Sequence, residues 1–308
     1  MERYVIGMDG GGTKTAVLLA DTSGRVLEEF TGGTMNYNGS SKERIDSNLQ
    51  SIFHRITEKS FQAQECAAIC VGAAGISNLA VKEQLLEHIR KAGYWCPVKI
   101  VGDVDTAFAG ALENQEGIIL ISGTGSICLG KDKEGKSYRT GGYGHLIDDV
   151  GSGYAIARES LSAIVKSNDG RREPTLLKEL VFEYLNINSV EELISYVYAP
   201  GRNKKEIAEL SILIGKAAEC GDRAAERIIE DCARDLTELA APVVRQWKEA
   251  PVLAVSGSVL LQNTLIYEKF CKSMQKAYPG ITVTKAKRTA VYGAMLLALK
   301  LPEEGRKV

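Results

Sequence analysis

Residues 4–25, YVIGMDGGGTKTAVLLADTSGR, decide the fold class of this chain. The apolar runs YVIGMD and TAVLLAD flank the turn GGGTK, so they predict two antiparallel strands. A second turn, TSGR, leads into VLEEF, which predicts a third strand. The chain is therefore expected to open with a meander of three strands.

Residues 118–136, IILISGTGSICLGKDKEGK, repeat this order of features. An apolar strand precedes a turn of glycine, serine and threonine, a second strand follows, and KEGK closes the segment. Two explanations are open at this point. Either the chain contains two related domains that each begin with a phosphate-facing hairpin, or two ordinary hairpins resemble each other by chance.

Helical and strand patterns alternate through the rest of the chain. Apolar residues at helical spacing over 42–58 are followed by the strand CAAICVGAAG, a helix over 79–92 and the strand VKIVGD, which is the β-α-β order of an α/β layer. Residues 154–248 are predicted to be mostly helical, with two amphipathic helices over 203–247 that are separated at Gly221-Asp222. Strand, turn and helix return in PVLAVSGSVLLQN, followed by the strand ITVTKA and the apolar helix TAVYGAMLLALK.

The composition restricts the function classes. A chain of 308 residues is long enough for two domains, and 44% hydrophobic residues is ordinary for a globular protein. A formal net charge of −1 gives no basic field for nucleic acid or an anionic membrane. No cleavable leader or membrane-spanning segment is recognisable, so we expect a cytoplasmic protein.

Metal and disulfide chemistry is not indicated by the cysteines or histidines. The seven cysteines are dispersed and form no Cys-x-x-Cys pair, and cytoplasmic thiols are normally reduced. The three histidines form no His-Glu-x-x-His motif. Neither a disulfide framework nor a cysteine-bound cluster is therefore expected.

The first candidate site is the turn from Asp9 to Thr15. Three successive glycines let the backbone approach an oxyanion, and the amides of such a turn can point at phosphate oxygens. A carboxylate at Asp9 is compatible with phosphate if it holds Mg²⁺ through water. The segment is not a P-loop, because Thr13 rather than glycine precedes Lys14. A hairpin turn without a ligand remains the alternative, and Lys14 is then an exposed hairpin lysine.

Two further turns have similar chemistry. Ser122-Gly123-Thr124-Gly125-Ser126 follows an apolar strand, at the place that matches GGGTK in the first hairpin. Ser256-Gly257-Ser258 follows the strand VLAV and opens a helix, which suits an adenosine or phosphate contact. The alternative for the third turn is a capped helix start. Two matching turns suggest two loops that bind one polyphosphate.

Asp103 lies at the end of VKIVGD and is followed by a predicted helix start. A carboxylate at the C-terminal end of a central strand faces the binding crevice in open α/β sheets, where a general base would be placed. Helix N-capping is the alternative role, although Asp105 is the better capping candidate.

Five motifs occur in a specific order: DGGGTKT, GDVDTAFAGA, SGTGS, GGYGHLIDDVGSGYAIARE and SGSV. Together they resemble the eukaryotic-type N-acetylglucosamine kinases and the wider BadF/BadG/BcrA/BcrD ATPase family over nearly the whole chain. The resemblance implies an α/β, duplicated actin-like (ribonuclease H-like) fold with two domains and a nucleotide cleft between them. Its domains would be 1–117 plus 289–308, and 118–288 with a helical insertion.

The resemblance also implies roles for individual residues. The second phosphate loop would be Ser122 to Ser126, the adenosine motif would contain Ser256, Gly257 and Ser258, and Asp103 would be the catalytic aspartate. The first phosphate loop would consist of Asp9, which would also hold the metal, and Gly11, Gly12, Thr13, Lys14 and Thr15.

The sugar pocket is where this sequence departs from the family pattern. The resemblance implies sugar contacts from Asn36, from Gly142, Tyr143 and Gly144, and from Asp149. Tyr143 replaces a usual tryptophan, and Ala74-Gly75 replaces the Ser-Gly of the animal enzymes. These differences leave phosphoryl transfer intact and leave the identity of the sugar open.

The resemblance implies a kinase that uses ATP and Mg²⁺ to phosphorylate a primary hydroxyl of an amino sugar, N-acetylglucosamine or N-acetylmuramic acid. We expect a homodimer with a small-molecule sugar as its partner, and neither nucleic acid nor membrane. The alternatives are a kinase for glucosamine or glucose, an ATPase activator of an acyl-CoA dehydratase or reductase, and a non-catalytic ATP-dependent switch.

Overall fold

The computed structural model describes residues 3–12, 14–35, 41–73, 76, 78–113 and 115–304, and for residues 302–304 it describes the backbone only. Contacts divide the chain into two compact units. Unit 1 consists of Met1–Gln115 and Ala286–Val308, and unit 2 is Glu116–Lys285. The domain boundaries predicted from the sequence lie within a few residues of these limits and stay a prediction.

Unit 1 contains a five-stranded mixed sheet. Its strands are β1 (Tyr4–Gly10), β2 (Lys14–Asp21), β3 (Val26–Gly33), β4 (Cys66–Ala73) and β5 (Val98–Gly102). The order in the sheet is β3-β2-β1-β4-β5. The first three strands are antiparallel neighbours, whereas β4 and β5 run parallel to β1. The predicted opening meander is confirmed.

Helices cover both faces of this sheet. They are α1 (Lys42–Glu58), α2 (Leu79–Lys91), α3 (Asp103–Leu112) and the C-terminal helix (Ala290–Glu304). Successive side chains of β1 point to opposite faces of the sheet. Ile6 and Met8 pack in the core beneath α1 and α2, whereas Val5 packs in the core beneath the C-terminal helix.

The position of α3 depends on close packing against the C-terminal helix. A Cβ on Gly293 would lie 2.0 Å from the carbonyl oxygen of Thr106, and a Cβ on Gly110 would lie 2.2 Å from that of Thr289. Only glycine permits backbones to approach so closely. This contact fixes the helix that begins at Asp103.

Unit 2 contains a second five-stranded mixed sheet. Its strands are β6 (Gly117–Ser122), β7 (Ser126–Lys131), β8 (Ser137–Gly141), β9 (Val252–Ser256) and β10 (Thr282–Lys285). Read from the other edge, the order β8-β7-β6-β9-β10 matches that of unit 1 strand for strand, again with three antiparallel and two parallel members. This match supports duplication over chance, and the predicted α/β fold class is confirmed.

The helices of unit 2 are α4 to α11. They are α4 (Gly153–Asn168), α5 (Leu177–Leu185), α6 (Val190–Val197), α7 (Lys204–Ala208), α8 (Leu213–Glu219), α9 (Arg223–Val244), α10 (Ser258–Gln262) and α11 (Thr264–Ala277). No helix among the residues that the structure describes has the combined length and apolar character needed to span a membrane.

The single helix predicted before Gly221 is wrong. The structure has α7, a 3₁₀ turn over Glu209–Ile212 and α8 in its place. The break at Gly221-Asp222 is confirmed, because Gly221 has a φ of +80° and the Asp222 side chain accepts the Ala225 amide at the start of α9. Local propensity does not reveal the 3₁₀ turn, since the residues there are also acceptable in an α-helix.

Candidate functional site

In unit 1, the sheet holds Asp9 next to the glycine turn. Asp9 pairs with Ala16 on the antiparallel side and with Gly72 on the parallel side, one residue before β1 ends. The amide of Gly11 donates to the carbonyl of Lys14 at 3.0 Å, which closes the turn. Gly11, Gly12 and Lys14 are exposed, so a ligand can reach them.

Thr15 has a structural contact in this turn. It is fully buried, and its hydroxyl donates to the Gly33 carbonyl at 2.7 Å. A phosphate contact through this hydroxyl would require that hydrogen bond to break. The predicted role of Thr15 stays a prediction.

Asp103 is the first residue of α3, one residue beyond the end of β5, instead of the last residue of the strand. Its carboxylate accepts the amide of Val104 at 3.0 Å. Asp105 caps this helix start from the third helical position, where its carboxylate accepts the Gly102 amide at 3.0 Å. Because Asp105 satisfies the cap, the exposed Asp103 is available for chemistry.

Thr106 connects Asp103 with Asp9. Its buried hydroxyl donates to the backbone carbonyl of Asp103 at 2.8 Å and lies 3.5 Å from Oδ1 of Asp9. A Cβ on Gly72 would lie 2.5 Å from the Thr106 side chain, so the glycine provides the space that Thr106 occupies. Sequence reasoning missed Thr106, although its position one helical turn after Asp103 was a usable signal.

The pKa values of Asp9 and Asp103 are both raised. Burial and, to a smaller extent, the Asp103 carboxylate raise the pKa of Asp9 to about 6, against the opposing effect of the Thr106 hydroxyl. Partial desolvation also raises the pKa of Asp103, and the Asp105 carboxylate adds to this, whereas the Val104 amide lowers it. Two neighbouring carboxylates with raised pKa values are typical of a functional site.

A cation would relieve the repulsion between these carboxylates. Within the described part of the chain, neither Asp9 nor Asp103 forms a salt bridge, and no group of three or more His, Cys, Asp or Glu side chains could hold a metal. A hard cation bound at Asp9 would therefore take most of its ligands from water or phosphate and not from protein side chains.

In unit 2, the second turn is held by hydrogen bonds to the segment from Val150 to Gly153. Ser122 donates its hydroxyl to the Gly151 carbonyl at 2.8 Å, and Ser126 donates to the Val150 carbonyl at 2.6 Å. The Gly123 carbonyl accepts the amide of Gly153 at 2.7 Å. The two serine hydroxyls hold the loop in place and do not point freely at a ligand.

Thr124 differs from the two serines. It is half-buried at the tip of the turn, and its hydroxyl has no hydrogen-bond partner among the residues that the structure describes. The Gly123 amide already donates to the Gly125 carbonyl at 2.9 Å. The Thr124 hydroxyl and the backbone amide of Gly125 are thus the groups with which this turn would contact a phosphate.

The third turn packs directly on the second. Gly257 has a φ of +90°, and a Cβ there would lie 2.2 Å from the Ser122 carbonyl oxygen. Ser256 ends β9 and Ser258 begins α10. The structure therefore brings the predicted phosphate turn and the predicted adenosine motif together.

A pocket of about 490 Å³ opens beside this third turn. Its lining mixes apolar and polar side chains, as expected for a site that binds a flat heterocycle with a few polar groups. The lining residues include Ser258, Val259, Ile212, Lys216, Glu219 and Asn263.

The segment from Gly142 to Asp149, for which the resemblance predicts sugar contacts, forms an ordered loop in unit 2. Gly142 and Gly144 have φ values of +75° and +97°, and the amide of Tyr143 donates to the Asp148 carboxylate at 3.1 Å. Tyr143 is 66% exposed. His145 packs edge-on against Tyr154, with 4.6 Å between the ring centroids.

Asp149 is the most unusual residue of this loop. It is 4% exposed and has a φ of +57°, which few residues other than glycine adopt. A Cβ on Gly125 would lie 2.8 Å from its Oδ2, so the carboxylate lies against the second turn. The structure therefore joins Asp149 to the predicted phosphate turn.

Four predicted site residues, Thr13, Asn36, Ala74 and Gly75, lie outside the described residues. Of the rest, the structure groups Asp9 and Asp103 in unit 1. It groups Ser122 to Ser126, Asp149 and Ser256 to Ser258 in unit 2.

Comparison with known proteins gives a full-length match. The model of the BadF/BadG/BcrA/BcrD ATPase family matches residues 6–298. The chain is 38% identical over 300 residues to the N-acetylmuramic acid/N-acetylglucosamine kinase of Clostridium acetobutylicum, covering 96% of this chain and 98% of that protein. It is 29% identical over 312 residues to the N-acetyl-D-glucosamine kinase of Dictyostelium discoideum, covering 96% and 97%.

A solved structure shows the same fold. The chain is similar, with a TM-score of 0.77 and 22% identity, to a Chromobacterium violaceum protein proposed to be an N-acetylglucosamine kinase. The similarity covers 96% of this chain and 99% of that protein.

Proposed function

The chain belongs to the BadF/BadG/BcrA/BcrD ATPase family, and on this premise we propose that it is an ATP-dependent kinase for an N-acetylated amino sugar. The observation that carries the proposal is the pair of carboxylates Asp9 and Asp103, one beside the glycine turn and one at the start of α3. Phosphoryl transfer needs a proton acceptor and a group for the metal, and this pair can supply both.

Asp103 is the proton acceptor in this proposal. It would accept the proton of the sugar's primary hydroxyl while the hydroxyl oxygen attacks the γ-phosphorus in line. The bond from the γ-phosphorus to the β,γ-bridging oxygen breaks on the opposite side, and ADP leaves. Desolvation and the Asp105 carboxylate raise its pKa, which makes it a stronger base than an ordinary aspartate. The carboxylate also keeps a fixed orientation through the Val104 amide.

Asp9 is the residue that would hold Mg²⁺ through water. Its uncompensated negative charge beside Asp103 fits a cation, and membership of an ATPase family implies the use of ATP. Mg²⁺, when bound, neutralises phosphate charge and stabilises the transferring phosphoryl group. Gly12 would then contact phosphate oxygens through its amide and Lys14 through its ammonium group. A contact from the Gly11 amide would require its hydrogen bond to the Lys14 carbonyl to break.

The nucleotide contacts of unit 2 would come from two places. The amide of Gly125 and the hydroxyl of Thr124 would bind phosphate, whereas a contact from the Gly123 amide would require its hydrogen bond to the Gly125 carbonyl to break. The pocket lined by Ser258 and Asn263 would accept adenosine. The close contact at Gly257 supports this assignment, because it holds the adenosine turn, Ser256–Ser258, against the phosphate turn, Ser122–Ser126.

The acceptor sugar would be held by Gly142, Tyr143, Gly144 and Asp149 in unit 2. Asn36, Ala74 and Gly75 belong to the same proposal on the grounds of the family resemblance. Support comes from the curated relatives, of which one is named for N-acetylmuramic acid as well as N-acetylglucosamine.

We expect N-acetylglucosamine or N-acetylmuramic acid to be phosphorylated with a kcat/KM at least about 10-fold above that of glucose, because a pocket that binds the amide is left with unpaired polar groups by glucose. Coupled ADP release over glucose, glucosamine, N-acetylglucosamine, N-acetylmannosamine and N-acetylmuramic acid measures this. A higher kcat/KM for glucose or glucosamine would disprove the proposal that the acceptor is N-acetylated. The broader proposal of a sugar kinase would then remain.

The proposal includes a homodimer. Leu146 and Ile147, in the loop after the sugar motif, are 82% and 84% exposed, and their burial against a second copy would be favourable. Light scattering should give twice the chain mass of 33.4 kDa. We expect Leu146→Glu to shift the protein towards monomer, and a wild-type protein of single-chain mass would contradict the proposal.

A further inference from the structure

Two of the seven cysteines meet at one end of the sheet in unit 1. Cys66 is the first residue of β4, and Cys96 lies two residues before β5, in a bend outside the regular strands. Their Sγ atoms are 3.6 Å apart, a hydrogen-bonding distance for sulfur, and both are free thiols. All seven cysteines lie within the described ranges, and no other two of them have their sulfur atoms in contact.

Cys96 has the surroundings of a reactive cysteine. It is half-buried, so a small reagent can reach it, and the Arg90 guanidinium donates to its backbone carbonyl at 2.9 Å. The hydrogen bond with the Cys66 thiol lowers the pKa of Cys96, and the charges of Arg90 and Arg3 add to this, whereas burial opposes it. Because the thiolate is the nucleophile, these surroundings favour reaction at Cys96.

Cys66 has the opposite properties. It is 3% exposed, and its thiol donates to the Ala68 carbonyl at 3.5 Å. The hydrogen bond with Cys96 and burial both raise the pKa of Cys66. Cys66 is therefore protected from reagents in solution but lies in contact with the one sulfur that they can reach. An accessible thiol of lowered pKa beside a second cysteine is the arrangement of an attacking and a resolving cysteine.

We propose that Cys66 and Cys96 form a reversible oxidation site, at which hydrogen peroxide converts the two thiols into a disulfide that stabilises unit 1. The Cys96 thiolate attacks one peroxide oxygen, the O–O bond breaks, and the other oxygen leaves as hydroxide, which takes a proton to become water. The Cys66 sulfur then attacks the sulfur of the Cys96 sulfenic acid. The S–O bond breaks, and the leaving hydroxide takes the Cys66 proton and departs as water.

The overall reaction is balanced. Two thiols lose two electrons and two protons, and one hydrogen peroxide becomes two waters. A dithiol reductant regenerates both thiols by exchange through a mixed disulfide. The reaction uses no residue of the proposed kinase site, so this inference does not rest on the proposed function.

The backbone around the pair permits a disulfide. The Ile69 amide donates to the Pro97 carbonyl at 3.0 Å, so the two chain segments already run side by side next to the cysteines. Neighbouring strands are about 4.8 Å apart, which lies within the Cα separations that disulfides span. The sulfurs must approach from 3.6 Å to about 2.05 Å. Cys96 can supply this movement, because it lies outside the strand ladder.

The location of the pair determines the effect of oxidation. Asp9 and Asp103 lie at the carboxyl ends of β1 and β5, whereas the two cysteines lie at the amino ends of β4 and β5. Gly72, the partner of Asp9 on β4, is six residues from Cys66, or about 20 Å along the strand. A disulfide would enclose the chain between β4 and β5 and restrict the unfolded state. It should therefore stabilise unit 1 without moving the two carboxylates.

Peptide mapping of the oxidised protein tests the site. The full chain carries Cys220→Ser, which removes an exposed thiol, and the reduced protein is treated with a small excess of hydrogen peroxide before the remaining thiols are blocked with N-ethylmaleimide. We expect mass spectrometry to find a disulfide between Cys66 and Cys96. It should form at least about 10-fold faster than Cys271 is oxidised, because burial raises the pKa of that half-buried thiol. Dithiothreitol should restore both thiols, and the disulfide form should melt about 5 °C above the reduced form.

Variants separate the roles of the two thiols. Cys66→Ala should leave Cys96 as a sulfenic acid that dimedone labels, whereas Cys96→Ser should leave Cys66 unmodified. Cys271→Ser is the matched control and should form the disulfide at the rate of the parent protein, for which the mapping needs no further substitution.

Three results would overturn the inference. They are oxidation of Cys96 without a link to Cys66, oxidation of Cys271 as fast as that of Cys96, and a disulfide form that melts no higher than the reduced form. None of these measurements uses kinase activity, so failure of the proposed function would leave the oxidation site standing, and the reverse also holds.

Discussion

Asp103→Asn is expected to lower sugar-dependent ADP formation by about 10²–10⁴-fold while ATP binding stays close to that of the wild type. Asparagine keeps the shape and the oxygen that accepts the Val104 amide, so the start of α3 should be preserved. It cannot accept a proton from the sugar hydroxyl. Steady-state kinetics and calorimetric titration with ATP measure the two effects.

The matched control is Asp105→Asn. Asp105 lies two residues away on the same helix, and the amide oxygen of asparagine can still accept the Gly102 amide. We expect its turnover to remain within a few fold of the wild type. Near wild-type turnover in Asp103→Asn would remove Asp103 from the mechanism.

The pH dependence follows from the raised pKa values. A protonated Asp103 cannot accept a proton, so activity should fall as the pH decreases through its raised pKa. Asp9, with a pKa of about 6, must also lose its proton to hold a cation, and this contributes to the same acidic decline. Asp103→Asn should shift the remaining decline to lower pH, because the Asp103 carboxylate is one cause of the raised pKa of Asp9.

The order of strands and helices along the chain was the part of the fold that the sequence predicted best. The hairpins around GGGTK and SGTGS were visible as apolar runs interrupted by glycine, and β1 with β2 and β6 with β7 form them. The sequence left duplication and chance open, because a hairpin alone does not specify its sheet. Duplication is supported by the next strand of each sheet, because β4 lies parallel to β1 and β9 lies parallel to β6. These pairs join residues that are far apart in sequence.

The contacts of individual side chains could not be predicted. Ser122 and Ser126 are hydroxyl-bearing residues in a phosphate-type turn, yet their hydroxyls bind the carbonyls of Gly151 and Val150. Lys204 reaches Asp149 only because the start of α7 is packed beside it, and no spacing rule connects residues so far apart in sequence. The motifs indicated the class of chemistry, whereas tertiary packing determines which atoms each side chain contacts.

Gly257→Ala is the second variant with a large expected effect. A Cβ at this position would lie 2.2 Å from the Ser122 carbonyl oxygen, 2.4 Å from its carbonyl carbon and 2.9 Å from the Gly123 amide nitrogen. These are backbone atoms that cannot rotate away, and the φ of +90° is itself unfavourable for alanine. Strain and overpacking together predict a loss of about 2–5 kcal/mol of folding stability.

The same clash should damage nucleotide binding beyond its effect on stability, because relief requires the Ser122–Ser126 turn and the Ser256–Ser258 turn to separate. We expect the Kd for ATP to rise at least about 10-fold at a temperature where the variant is folded, which corresponds to about 1.4 kcal/mol of binding free energy. Gly201→Ala is the control, since Gly201 has a φ of +83° but open space around a Cβ, so it carries the backbone strain without the clash. If Gly257→Ala melts early but binds ATP as the wild type does, the contact between the two turns is structural and the nucleotide lies elsewhere.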